Sequence, residues 1–215
     1  MRIGVVEAHY FPSITYFIVL RSLDKILLEA HENYIKQSYR NRCIVNTSNG
    51  THRLVVPVVA EHRKIPITEV RIDYSTKWLN NHWRTICSAY GKAPFFEYYS
   101  DDLYAMLDKE HEFLYAMNLD LLQTLVKMLN LNIPMAETVM YEKTPIQTII
   151  DFRNAINTKN TTQRKVYYKP IEYQQVFGRM FNPDLSILDL IFCAGPDAGS
   201  ILRRSCSENE QITLG

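Results

Sequence analysis

Glycine is scarce: seven residues in 215, none of them set in a glycine-rich phosphate loop. That excludes the backbone cradles by which P-loop and dinucleotide-binding proteins hold phosphates. The four cysteines, Cys43, Cys87, Cys193 and Cys206, are scattered. No Cys-x-x-Cys zinc knuckle and no dense disulfide framework can be drawn from them, so reduced thiols and a cytoplasmic location are expected. Neither sign of charge dominates, with 24 Lys and Arg against 23 Asp and Glu. A general nucleic-acid binder advertises a basic excess, so neither nucleic acid nor a membrane is expected as a partner. Long apolar runs are missing as well. Ile14–Leu20, broken by Thr15 and Tyr16, stops far short of the roughly 20 residues that span a bilayer. The opening Met1–Ala8 run meets Glu7 too soon for a secretory signal and suits a first buried strand.

What is present is a packed globular composition: 47% of residues are apolar, enough for one sizeable core. The length suits one domain. Residues 1–140 are expected to form an α/β core, 141–170 a mobile loop or linker, and 171–215 a helical segment packing back on that core. Ile3–Ala8 reads as a strand. Pro12 suits a first helical turn, and Ile14, Phe17, Ile18 and Arg21 continue at helical spacing. Lys25–Ala30 then reads as a second strand, a Rossmann-like opening that favours a parallel pair with a right-handed crossover. Cys43–Thr47 and Leu54–Val59 flank Ser48-Asn49-Gly50 and predict a hairpin. Ile67–Ile72 is a plausible further strand. Helices are expected from a Ser75 or Thr76 cap to Gly91, over Phe95–Asp108, over Glu112–Leu129 and around Leu185–Ile191, with a last strand begun in Asn130–Ala136. Residues 151–165 lack apolar period. The fold class is therefore α/β, a mixed, mostly parallel sheet with a hairpin and helices packed on it.

Three constellations offer chemistry. Glu7-Ala8-His9-Tyr10 follows the first strand, where open α/β sheets bind ligands with the help of unpaired helix N-terminal N–H groups. His9 there suits proton transfer, or equally a hydrogen-bonded residue closing the sheet. Tyr34, Lys36, Arg40, Asn41 and Arg42 cluster in the next loop. Arginine forks match phosphate or carboxylate and a tyrosine face takes a base or sugar, although a solvated basic loop has the same composition. Trp78, His82 and Tyr90 recur along one face of a helix, where His82 is either a general base or a core residue. Glu29 and His31 share a strand face, but two ligands without a third make no metal site. No cofactor is indicated.

Ordered along the chain, these pieces resemble the WbqC-like protein family. The resemblance rests on Tyr10-Phe11-Pro12-Ser13-Ile14-Thr15-Tyr16-Phe17, Tyr34-Ile35-Lys36, Asn41-Arg42, Val56-Pro57-Val58, the Trp78 and His82 helix, and Tyr90-Gly91-Lys92-Ala93-Pro94. It spans roughly residues 3 to 130, with a weaker echo at Ser186–Pro196. At Val6-Glu7-Ala8-His9-Tyr10 the chain departs from the family's common His-Gln-Pro-Asn-Tyr. The resemblance implies a bacterial protein with relatives encoded near surface-polysaccharide (O-antigen) genes, and a transferase-like enzyme passing an amino-acyl or similar group to an activated sugar. The expected ligand is a small anionic metabolite, nucleotide- or phosphate-linked. His9, His82, Glu7 and Tyr10 are the candidate catalytic residues; Tyr34, Lys36, Arg40, Asn41, Arg42, Trp78, Tyr90 and Lys92 the candidate binding residues. The competing expectation is a non-catalytic carbohydrate-binding or partner protein of the same pathway.

Overall fold

In the computed structural model, residues 1–59, 64–157, 166–178 and 180–207 are described. The β-branched run Ile3–Glu7 forms β1, and Lys25–Glu29 forms β2, parallel to it with Glu7 opposite Glu29. Between them α1 runs over Ile14–Arg21. Arg42–Thr47 and Gly50–Val55, β3 and β4, pair as an antiparallel hairpin separate from the main sheet. Three helices follow: α2 (Trp78–Tyr90), α3 (Phe96–Leu107) and α4 (Leu114–Met128). Two three-residue strands, β5 (Met135–Glu137) and β6 (Ile149–Asp151), complete a four-stranded parallel sheet in the order β5-β2-β1-β6. The chain ends in α5 (Ile187–Ala194) and α6 (Ala198–Arg204). The mixed α/β architecture, its β1-α1-β2 opening and its hairpin are those expected from the sequence. Among the described residues no helix is long and apolar enough to cross a membrane.

Several boundaries differ, each for a local reason. The segment 67–72 is not a strand: Ile67–Glu69 forms a 3-10 turn, and only isolated bridges, Val58 with Ile72 and Arg71 with Phe113, follow. Its apolar residues are buried, but among the described residues no neighbouring strand is there to continue a ladder. The hairpin turn is tighter than expected, with Thr47 opposite Gly50, so β4 begins at Gly50 and ends before Pro57. Gly50 has φ +96°, a conformation that glycine takes without strain. The polar Thr51, His52 and Arg53 are the exposed start of that strand. Helix α2 begins at Trp78 with no side-chain cap from Ser75 or Thr76, since the Asp73 carboxylate takes the Ser75 N–H instead. Strand β6 lies inside the stretch expected as a loop; residues 158–165 of that stretch lie outside the described residues.

Helix α5 is apolar except for Asp189, whose carboxylate accepts from Tyr173 and Gln175, and every one of its residues is buried, as a helix enclosed in a core must be. It touches α1, α2, α3 and β3, so the C-terminal part of the chain helps to form the core rather than merely covering it. The same segment closes the N-terminus of α1. Ser13 caps it, the Leu185 carbonyl accepts from Ile14 N–H, and the Asp184 carboxylate accepts from both the N–H and the hydroxyl of Thr15 at 2.9 and 2.7 Å. The first N–H groups of α1 are thus spent within the fold, which corrects the expectation that they would greet an anion. Pro12 stands one residue before the Ser13 cap rather than inside the helix.

Asp184→Ala should leave the two Thr15 donors buried and unpaired. A loss of about 1–3 kcal/mol is expected, read as a fall in Tm of roughly 2–4 °C per kcal/mol in thermal unfolding. An unchanged Tm would show that Asp184 does not anchor α1.

Candidate functional site

In a parallel sheet all carboxyl ends lie on one edge, and the crevice opens where the strand order reverses. Here the chain steps from β1 outward to β2 and β5, and β6 returns on the other side of β1. The reversal lies between β1 and β6. A cavity of about 490 Å³ sits there, lined by Glu7 and His9 from the end of β1, residues 35–40 from the loop after β2, and Asn154, Ile156 and Asn157 after β6.

Its floor is a buried charged network. Arg40, 1% exposed, donates from Nε to Glu32 Oε1 at 2.6 Å, and its Nη2 donates to Glu32 Oε2 and to Asn154 Oδ1, the latter at 3.1 Å. Its Nη1 lies 3.8 Å from Glu7 Oε1. The Asn154 N–H donates to both Glu7 oxygens at 3.0 and 3.1 Å. Asn154 reaches this position with φ +59°, a left-handed conformation that asparagine tolerates better than most residues. The Asn118 side chain of α4 donates to the Arg40 carbonyl at 2.7 Å, and Ser38 Oγ donates to the Ile35 carbonyl at 2.6 Å, knitting the loop. His9 is fully buried, with ring centroids 4.7 Å from Tyr16 and 5.5 Å from Tyr39. Its Nε2 is 3.2 Å from Glu7 Oε1, within ion-pair reach, while Nδ1 has no hydrogen-bond partner among the described residues.

The charges have distinct settings. Burial holds His9 below its usual imidazole range, Arg40 adds to that effect, and Glu7 opposes it. Burial pushes the Glu7 carboxyl up, but His9 and Arg40 outweigh it and leave Glu7 below the usual carboxylate range. For Arg40, burial is opposed by the Glu32 fork and by Glu7, and the guanidinium ends above its usual value. Burial carries Glu32 upward against the pull of Arg40; the fork onto both its oxygens is nonetheless the geometry of an ionised carboxylate. With Arg40 matched by Glu32, Glu7 is the surplus negative charge, and the neutral imidazole beside it is the group that a proton would balance. At the rim Lys36 is exposed and makes no ion pair among the described residues.

The other candidate residues lie elsewhere. A sharp turn at Phe11, φ +40°, drives Tyr10 and Phe11 into the core. There Tyr10 OH bonds His82 Nδ1 at 2.9 Å, and the His82 ring also donates to the Val55 carbonyl. Trp78 stacks edge-on against His82 at 5.0 Å. Tyr90 is buried against Phe192, its hydroxyl accepting from the Asn46 N–H at 3.2 Å. Asn41 donates to the Val56 carbonyl at 2.9 Å, so it ties the loop to β4. Arg42 stands on β3 beside Arg53 and the half-buried Tyr34, away from the cavity, and Lys92 is exposed between α2 and α3. Glu7, His9, Lys36 and Arg40 therefore come together; Tyr10, Tyr34, Asn41, Arg42, Trp78, His82, Tyr90 and Lys92 do not. Glu32 and Asn154 were not singled out in the sequence. Glu32 had one signal, an acid eight residues before an arginine in a loop; Asn154 had none.

Family comparison now bears on this edge, because the WbqC-like protein family matches residues 7–166, from Glu7 to beyond the β6 loop. The chain belongs to the WbqC-like protein family. It is also similar to an uncharacterized protein of Mycobacterium tuberculosis, Rv1507c, at 26% identity over 94% of this chain and 97% of that one. No solved structure matches it. The matched WbqC-like region contains every residue of the charged floor, while α5 lies beyond it.

His82 gives a pH signature. Burial lowers its pKa to about 4, against the Val55 bond that raises it. The unfolded chain, with an ordinary imidazole near 6.5, binds the extra proton first as pH falls, so the stability contributed by neutral His82 is present above about pH 6.5 and is lost between there and about pH 4. A shift of that size corresponds to on the order of 3 kcal/mol. Tm followed from pH 7 to pH 4.5 should fall, and should fall less steeply in His82→Gln. Parallel curves would show that His82 is not held neutral by the fold.

Proposed function

We propose that this protein is an enzyme of group transfer acting on an anionic metabolite, nucleotide- or phosphate-linked, in the cavity between β1 and β6. The observation that carries the proposal is His9: a fully buried imidazole at the cavity floor whose Nε2 faces Glu7 Oε1 at 3.2 Å and whose Nδ1 has no hydrogen-bond partner among the described residues. An unpaired buried polar atom costs about 1–3 kcal/mol, and native folds keep such atoms where a ligand or a reaction uses them. His9 serves as the proton acceptor from the attacking group, and Glu7 stabilises the imidazolium that results. The cost of desolvating that base is already met in the folded protein, which keeps it neutral and ready at physiological pH.

Lys36 meets the anion at the rim, where no carboxylate competes for it. Arg40 does not bind substrate in this scheme; its Nε and Nη2 are taken by Glu32 and Asn154, and its charge holds Glu7 ionised. The family resemblance supports a place in surface-polysaccharide assembly, with an activated sugar as one partner of the transfer. Sugar substrates also suit the polar wall formed by Ser38, Asn154 and Asn157.

A thermal-shift panel of nucleotide sugars, sugar phosphates and coenzyme A thioesters tests the binding half. A ligand present at a hundredfold excess over its Kd adds about 2.7 kcal/mol, and Lys36→Ala should erase most of the shift. Turnover with the best-binding pair should fall about a hundredfold or more in His9→Gln, with binding retained. If no anion shifts Tm, or if His9→Gln turns over normally, the proposal fails.

A further inference from the structure

A second cavity lies on the sheet face that carries Val5 and Leu27, and the activity proposed above does not use it. It measures about 320 Å³ and runs along β2, beneath the segment 138–149. Alternate residues of a strand share a face, so Lys25, Leu27 and Glu29 line it in sequence, spanning about 13 Å at roughly 3.3 Å per residue. Val5 of β1 and Ala136 of β5 flank Leu27, Ile149 of β6 lies beyond β1, and together they make the middle apolar.

The two ends differ. At the Glu29 end the buried charges are paired with one another, and the exposed Glu137 and Glu142 carboxylates make no ion pair among the described residues. Arg153 donates to Glu29 at 2.7 Å and to both oxygens of Asp151 at 2.9 and 2.8 Å, while Thr138 and the His31 N–H take the other Glu29 oxygen. At the opposite end Lys25 is half-buried and has no ion-pair or hydrogen-bond partner for its ammonium among the described residues. An unmatched cation lining an apolar trough selects an anionic head with an apolar body behind it.

The cover over the trough fits the same ligand. Val139 and Met140, 87% and 60% exposed, are apolar side chains on its lining. Their segment is tied at its start by Thr138 and further on by Arg153, which donates to the Glu142 carbonyl at 2.7 Å and lies over the Tyr141 ring at 4.7 Å. We infer that this trough is a binding site for a small amphiphilic anion, an aliphatic carboxylate being its simplest form, whose head meets Lys25, whose chain lies over Leu27 and Val5, and whose exposed side is covered by Val139 and Met140.

Calorimetric titration with decanoate, and with decylamine as the charge-reversed control, tests this on the full chain. Decanoate should bind and decylamine should not. Lys25→Met keeps the aliphatic stem and should weaken decanoate by about tenfold or more, the loss expected for one charge-assisted contact. Ala136→Trp, made at an exposed position opposite Leu27, should fill the trough and abolish binding. Lys36→Ala, at the other cavity, should leave decanoate binding unchanged, which separates this site from the proposed active site. Absence of decanoate binding, equal binding of decylamine, or an affinity unmoved by Lys25→Met would overturn the assignment.

Discussion

Everything at the carboxyl edge of the sheet depends on one buried cation. Arg40 is almost fully enclosed, and the isolated cost of taking a guanidinium out of water is several kcal/mol. That cost is recovered only if the charge is met by carboxylates in close geometry. Glu32 supplies the fork, Glu7 a second negative charge, and Asn154 the remaining acceptor. These residues come from the loop after β2, from β1 and from the loop after β6, so satisfying one side chain fixes three otherwise independent segments against each other. A network of this kind is weak evidence of extra stability. Its contribution is geometric: it leaves one carboxylate, Glu7, fixed in orientation beside a neutral histidine.

The edge is built from side chains because the backbone is committed elsewhere. In nucleotide-binding α/β folds the first helix N-terminus offers its N–H groups to phosphate. Here Ser13, Asp184 and Leu185 take those groups, and the near-absence of glycine leaves no close backbone approach in their place. An anion at this edge is therefore left to Lys36, a flexible point charge at the rim. That arrangement favours an acidic group held loosely at the mouth over a pyrophosphate locked against a helix.

The contrast between legible and hidden features follows from range in sequence. Strands β1 and β2 and helix α1 announce themselves through local pattern, and so do the apolar stripe of α4 and the Asn-Gly hairpin. His9, Lys36 and Arg40 were legible as site candidates because topology alone sends the ends of β1 and β2 to one edge. Arg42 looks equivalent to Arg40 in the sequence, but Asn41 is spent on the Val56 carbonyl and β3 begins at Arg42, which carries that side chain toward Arg53 instead. His82 and Tyr10 each looked like catalysts; across 72 residues they meet and satisfy each other. Asn154 sits in a stretch without apolar period, and only a three-residue strand, β6, delivers it. Its role depends on a positive φ and on two partners more than 110 residues away, none of which leaves a local trace.

Consecutive residues after β6 serve the two cavities. Arg153 clamps Glu29 at the end of β2, and Asn154 clamps Glu7 at the end of β1. Glu7 and Glu29 are themselves direct partners across the parallel pair, about 4.8 Å apart in such a sheet. A shift of the β6 loop that loosens one clamp moves the residue making the other, since they share a peptide bond. The two cavities are thus lined through adjacent residues of one loop, Arg153 at the trough and Asn154 at the carboxyl edge.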